Sequence, residues 1–480
     1  MNYGIIGHIL CKLIFMEGLF LLVPAGVAFL YGETRIALIY LGVAACCFLV
    51  GILGRIKKPK SNAFFAKEGF VIASAGWIIL GLIGALPFVI SGEIPHYIDA
   101  IFETVSGFTT TGSSVLVDVE ALSRGNMFWR CFTHWMGGMG VLVLMMAIMP
   151  LSGSYNLFLM KAESPGPDVD KIMPRVMSSA AMLYKIYIVI TSAQIIALMI
   201  AGLDLYEAST LTFSTVGTGG FALLSDSIAS YNLAVQIIIT IFMLICSINF
   251  NVYFFLAVRR FWDILHFEEM WAFLGIVFAT ATCITINIHS QFKSIFMAFH
   301  TALFQVASVI STTGFATVDF NLWPQFSKAL LIMVMVIGAC AGSTGGGLKV
   351  SRLVMLVKSA KKSVALIAHP RSVRKIHLNG KVLSDRMVHS VMRFLVIYCV
   401  VMFLSFILVS LDNFDAETSI TAVLTTLNNV GPGLGIVGPN GNFSSFSYLS
   451  KIVMIFDMLA GRLEFYPLLI LFAPSTWKRF

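Results

Sequence analysis

Ten stretches of mostly apolar residues, each of about 20 residues or more, recur along the chain: 9–31, 36–54, 69–91, 126–150, 182–202, 232–258, 271–289, 325–356, 388–411 and 448–472. A helix needs about 20 such residues to cross the hydrocarbon core of a bilayer, so each stretch is predicted to span. The longer ones predict tilt or extension into water. The last eight fall into pairs. Between the members of each pair lies a shorter apolar stretch with helical character: 97–108, 205–214, 295–311 and 416–428. Each short stretch runs into a similar phrase. These are Thr110-Thr111-Gly112, Thr215-Val216-Gly217, Thr312-Thr313-Gly314 and Asn429-Val430-Gly431. The unit is span, short helix, glycine loop, span, repeated about every 100 residues. That period is too long for a solenoid and suits a unit that closes a pore only together with its relatives.

The pattern predicts an all-α polytopic membrane protein. Four span–pore helix–filter–span repeats surround a pseudo-fourfold pore, preceded by a two-helix N-terminal hairpin. The expected divisions are 1–60 for the hairpin, then 61–165, 166–265, 266–370 and 371–480 for the four repeats. Acidic residues near the start of several short helices (Asp99 and Glu103, Asp204 and Glu207, Asp415 and Glu417) are predicted to offset the helix dipole there. The carbonyl ends would then point at the loops.

Composition agrees with a membrane class. Of 480 residues, 58% are hydrophobic and 12% charged, about half the charge of a soluble domain. Lys12 and Glu17 interrupt the first apolar run, which is therefore predicted to be a retained span and not a cleaved signal. With the amino terminus in the cytoplasm, 24 of the 32 Lys and Arg residues fall on that side. The positive-inside bias then predicts that both termini are cytoplasmic. The eight cysteines form no CxxC pair and read as small apolar side chains. The nine histidines lack zinc spacing. No nucleophile, base and orienting group stand at recognisable spacing, so the chain does not read as an enzyme.

The four loops carry the chemistry. An ion entering an apolar medium loses tens of kcal/mol of hydration unless oxygens replace its water shell. Rings of backbone carbonyls do this for K⁺, whereas acidic rings suit other cations and basic rings suit anions. No loop side chain is charged, so carbonyls remain as ligands. Glycine gives each loop the backbone freedom this needs. The expected transported ion is K⁺, with no bound organic cofactor. Asn429-Val430-Gly431-Pro432 departs most from the others, which predicts imperfect fourfold symmetry. A symporter coupling K⁺ to H⁺ or Na⁺ is the alternative; the lack of an intramembrane carboxylate series favours a channel-like path.

Two further features lie within spans. Gly338-Ala-Cys-Ala-Gly342-Ser343-Thr344-Gly345-Gly346-Gly347 places five glycines in ten residues. At about 1 kcal/mol per glycine relative to alanine, the helix is predicted to break there, unless the run marks close helix packing. Ser343 and Thr344 could bond the freed backbone or line the pore. Arg462 lies inside the last span, and should face the pore or pair with an acid, Asp457 or Glu464 being the neighbours in sequence. Residues 349–393 carry eleven basic side chains and read as a solvated cytoplasmic or lipid-headgroup segment.

The chain resembles the Trk/Ktr/HKT superfamily of K⁺ transporters, specifically the membrane subunit of the TrkH/TrkG type. The residues that carry this are Ser106-Gly-Phe-Thr-Thr-Thr-Gly112-Ser, Trp135-Met-Gly-Gly-Met-Gly140, Phe213-Ser-Thr-Val-Gly217-Thr-Gly-Gly-Phe221, Ser311-Thr-Thr-Gly314-Phe, Gly342-Ser-Thr-Gly-Gly-Gly347-Leu-Lys349 and Asn428-Asn-Val-Gly431-Pro. The resemblance implies that residues 342–347 form an intramembrane gate loop below the filter. It also implies that Arg462 stands on the ion path as a barrier. It further implies a homodimer in the bacterial inner membrane, and a cytoplasmic nucleotide-binding regulatory subunit of the TrkA type. Nucleic acid is not an expected partner.

Overall fold

The computed structural model describes residues 1–56, 65–140, 176–372 and 374–477. The divisions expected at 60/61 and 165/166 lie outside these residues, as do part of the span expected at 126–150, much of the basic stretches at 55–67 and 161–185, and Lys478 and Arg479.

Two helices, Tyr3–Leu30 and Thr34–Ile56, form the leading hairpin. It packs on the first repeat. Its turn residue Glu33 accepts from the backbone N–H of Arg124 (2.8 Å) and Gly125 (2.9 Å). The carboxylate thereby caps a helix start whose N–H groups have no partner of their own. Tyr40 donates to Asn126 Oδ1 at 2.7 Å, fixing the same junction.

The four repeats follow the expected order. Their first helices are Ala66–Gly84, continued by Leu86–Ser91, then Val176–Ile200, Glu268–Ile288 and Asp385–Val409. The pore helices are Tyr97–Phe108, Leu205–Val216, Ile295–Ile310 and Ala416–Asn428. Three of the four begin on side-chain caps: Asp204 accepts from Glu207 N, Asp415 from Thr418 N and Ser294 from Phe296 N. A short antiparallel pair, His377–Leu378 with Lys381–Val382, lies between repeats three and four.

The repeats close into a circle. Arg130 of the first reaches the Ala222 carbonyl of the second (3.3 Å). Ile228 N of the second donates to Ala316 O of the third (3.0 Å). Asn321 of the third and Gly435 of the fourth exchange two hydrogen bonds (3.2 and 3.0 Å). Phe443 N of the fourth returns to Ser114 O of the first (2.8 Å). Repeats one and three therefore face each other across the axis, as do two and four.

The second helices correct the sequence expectation. Only the third was expected to break, yet none runs on as one helix within the described residues. The first ends as α-helix at Gly138. The second is cut after Ser247 and resumes at Phe250 with a 91° bend. The third stops at Ile337 and resumes at Val350. The fourth stops at Arg462, turns through Glu464 and Phe465 at positive φ, and resumes at Tyr466. Six of the described helices are long and apolar enough to cross a membrane, and a seventh span results if the bent pair counts as one. Hydropathy continues across the breaks, so it could not mark them. The reason for the breaks lies in the centre.

Candidate ion-conduction site

Four residues with the same backbone stand at the four corners. Thr110, Thr218, Thr312 and Asn429 have φ of 55°, 57°, 60° and 55°, and each is followed two residues later by a glycine at positive φ: Gly112, Gly220, Gly314 and Gly431. The residue between them always donates its N–H to a carbonyl five residues back. These bonds are Thr111 to Ser106, Gly219 to Ser214, Thr313 to Ser308 and Val430 to Thr425, all 2.8–2.9 Å. Thr111, Thr313 and Val430 thus stand where expected, and the second loop does not. Its matching residues are Thr218, Gly219 and Gly220. Thr215 and Val216 belong to the last turn of the pore helix, and Gly217 follows at an ordinary helical φ of −69°.

A signal for this register was present in the sequence. Ser106, Ser214 and Ser308 each precede the loop glycine by six residues, and Gly220-Phe221 repeats Gly314-Phe315. The Thr-Val-Gly phrase one turn earlier matched the other loops more closely in composition and concealed it.

The loops are packed edge to edge. A Cβ on Gly112 would lie 1.9 Å from Gly219 O, one on Gly220 1.9 Å from Thr313 O, one on Gly314 2.1 Å from Val430 O, and one on Gly431 3.0 Å from Thr111 O. Each glycine abuts a main-chain oxygen of the next repeat, and the sequence of contacts returns to its start. The four glycines also line one cavity of about 140 Å³. No carboxylate or cation is among the corner residues, and the pore helices deliver the partial negative charge of their carbonyl ends to this place.

Beneath the ring lie the broken helix ends and the glycine-rich run. Gly346 N donates to Thr312 Oγ1 at 2.6 Å, so the run touches the lowest part of a filter loop. Its other bonds satisfy backbone that the breaks leave open: Cys340 N reaches Ser247 O (3.0 Å), Thr344 Oγ1 reaches Cys246 O (3.2 Å), and Gly342 O accepts from Phe250 N (3.0 Å). Ser343 donates to Cys340 O at 2.7 Å. Gly345 sits against Ser311 O, and Gly347 lies at φ 79° against Gly338. Irregular backbone at membrane depth survives only where it is packed in protein or lines a wet cavity. Here it is packed.

Arg462 joins these parts. It donates to Thr344 O (2.8 Å), to Gly138 O (2.6 Å), to Gly137 O, and to Thr110 Oγ1 (3.4 Å). Thr344 belongs to the third repeat, while Gly137, Gly138 and Thr110 belong to the first. A guanidinium that holds two repeats facing each other across the circle lies beneath the filter close to the axis. Of the two acids near it in sequence, Glu464 pairs with Arg352 at 2.5 Å, and Asp457 accepts from Ser405 at 2.7 Å. Its five fixed N–H donors suit several carbonyls at once.

The family model for TrkH, a cation transport protein, matches residues 38–479. The chain belongs to the TrkH family. It is 38% identical over 423 residues to the Trk system potassium uptake protein TrkH of Escherichia coli K12, covering 86% of each chain. It is 34% identical to that of Vibrio parahaemolyticus, covering all of both, and 30% identical to TrkG of Escherichia coli K12, covering 99% of this chain and 98% of that one. The crystal structure of the potassium transporter TrkH from Vibrio parahaemolyticus superposes with a TM-score of 0.88 at 32% identity, covering 100% of both chains.

This TrkH-family chain braces its filter loops from behind with a buried ion pair. Glu103 does not sit at the first pore helix's start but in its middle, fully buried, 2.6 Å from Arg130. It also accepts from Ser114 Oγ (2.9 Å) and Val115 N (2.9 Å), the chain leaving the loop. Arg130 stacks 3.5 Å over Phe221, just past the second loop. His134 lies between Gly107 O (2.7 Å) and Phe221 N (3.3 Å). Glu103→Gln keeps the shape and removes the charge. It is expected to cost about 2 kcal/mol, the value of a charged hydrogen bond, read as a lower unfolding temperature of the detergent-solubilised protein with Arg130 still in place.

Proposed function

We propose that this chain is the K⁺-uptake subunit of a bacterial inner-membrane transport system, conducting K⁺ through carbonyl oxygens of its four loops. Thr110, Thr111 and Gly112, Thr218 to Gly220, Thr312 to Gly314, and Asn429 to Gly431 form the filter. The observation that carries this reading is the closed circle of glycine-to-carbonyl contacts between neighbouring repeats. Such a ring brings together uncharged main-chain oxygens from four repeats, and carbonyl rings are how a K⁺ ion's water shell is replaced. The names of the relatives, potassium uptake proteins, point to the same ion.

Residues 342–347 act as the gate, obstructing the path below the filter, with Arg462 as the positive barrier beside it. Both termini face the cytoplasm. The basic helix Val350–Ala368 and the connection after it form the face on which a TrkA-type nucleotide-binding regulator docks, and two copies of the chain pair as a homodimer.

Reconstitution into liposomes tests the transport reading. With a K⁺ gradient and an opposed H⁺ gradient, the reversal potential is expected to follow K⁺ alone. A potential that shifts with the H⁺ or Na⁺ gradient in a fixed ratio would replace the channel-like reading with coupled symport.

A further inference from the structure

One buried carboxylate beneath the filter lies outside the scheme above. Glu269 is the second residue of the third repeat's first helix, and only 2% of its surface is exposed. A single oxygen, Oε1, accepts from the backbone N–H of Ala341 at 2.6 Å and of Ser351 at 3.0 Å. These two residues bracket the glycine-rich loop. A carboxylate bonded to both ends of a loop anchors the whole arch to the helix that carries the carboxylate.

The neighbouring residue adds to this. Glu268 pairs with Lys358 on Val350–Ala368, the helix that follows the loop. Lys358 also donates to His377 O at 2.8 Å. The first two residues of one helix therefore hold the loop's two ends and the helix that leaves it. They come directly after the connection between repeats two and three, which contains the short helix Phe261–Leu265.

We infer that Glu269 is a positioning residue of the gate: by fixing Ala341 and Ser351 together it keeps residues 342–350 across the path, and releasing it lets the arch open. This rests on the reading of residues 342–347 as a gate. The loop's own backbone already draws its ends together, Leu348, Lys349 and Val350 donating their N–H groups to the carbonyls of Val336, Ile337 and Ala339 (3.0, 2.8 and 3.1 Å); Glu269 adds the tie of both ends to a helix outside the loop. Of its contacts with other elements, those to Cys246, Thr312 and Arg462 hold its middle, and those of Cys340 to Ser247 and of Gly342 to Phe250 hold the entering end alone. A carboxylate in the first turn of a helix is also favoured by the partial positive charge at that end. A role limited to that would affect folding and leave flux per folded molecule unchanged.

The test uses the full chain in liposomes, with Rb⁺ uptake per folded protein and backbone hydrogen exchange of the peptide covering 338–352. Glu269→Ala is expected to raise uptake about tenfold and to speed exchange of that peptide, since two charge-assisted bonds are lost. Glu269→Gln keeps a carbonyl acceptor and should raise uptake by about threefold. A parallel variant lacking residues 345–347 separates the two readings. If it raises uptake and the Glu269 variants do not, Glu269 is not a restraint on the gate and the gate reading stands. If none of the variants raises uptake, the gate reading falls and this inference with it. Should Glu269→Ala fail to fold, Glu269→Gln decides: raised uptake with faster exchange supports the role, and wild-type values overturn it.

Discussion

Replacing Gly314 with alanine is expected to lower K⁺ uptake about a thousandfold while leaving the protein folded. Two costs combine. At φ 87° an L-residue is strained, by roughly 1–2 kcal/mol, and the new Cβ would sit 2.1 Å from Val430 O, an overpacking worth about 1–3 kcal/mol. Relief requires one loop to withdraw, and withdrawal takes a carbonyl out of the ring. Near 4 kcal/mol, the combined effect on a barrier is about three powers of ten. Gly220→Ala should behave alike, because its Cβ would meet Thr313 O at 1.9 Å. Gly275 is the control. It lies in the first helix of the third repeat with nothing within 4 Å of an added Cβ, so its alanine variant should transport as the wild type does. Uptake by Gly314→Ala within a factor of a few of wild type, with the protein folded, would remove the ring from the conduction path.

The same glycines show how much the sequence could tell. The pore helices were legible almost to the residue: 97–108 and 416–428 match Tyr97–Phe108 and Ala416–Asn428. Their ends are written in local chemistry, an acid or serine at the start and a glycine loop at the finish. The second loop was misread by three residues because composition records which residues occur, not the sign of φ. Thr215-Val216-Gly217 has the right residues and continues the helix; Thr218-Gly219-Gly220 has the turn. The breaks in the second helices were hidden for a related cause. Leu463, Glu464 and Phe465 interrupt a span without lowering its hydropathy much, and the bend at Ile248 and Asn249 falls between apolar neighbours. What forces those breaks is tertiary: the freed carbonyls at Cys246, Ser247, Gly137 and Gly138 receive donors from the glycine-rich run and from Arg462. The sequence leaves Arg462 two choices, to face the pore or to pair with Asp457 or Glu464. The carbonyls it holds come from more than 100 residues away in the chain.

Those partners make Arg462→Ala the second large effect, an expected rise in resting K⁺ flux of about a hundredfold. Two unit charges about 6 Å apart at an effective dielectric of 20 repel by roughly 3 kcal/mol, and removing that barrier gives two powers of ten in rate. Removal also releases Thr344 O, and with it one restraint on the loop that Glu269 holds at its ends. Arg462→Lys separates the contributions. A lysine keeps the charge but is a compact ammonium and cannot bridge carbonyls of the first and third repeats as a planar fork does. If charge alone blocks the path, the lysine variant should conduct at the wild-type rate. If the bridge also matters, it should conduct at a rate between wild type and Arg462→Ala, about tenfold above wild type. Folding must be followed in parallel, because Gly137 O and Gly138 O lose a buried donor in both variants, at about 1–3 kcal/mol for each carbonyl that water does not reach. A folded Arg462→Ala protein with wild-type flux would mean that the guanidinium, for all its contacts near the axis, stands beside the ion's route and not on it.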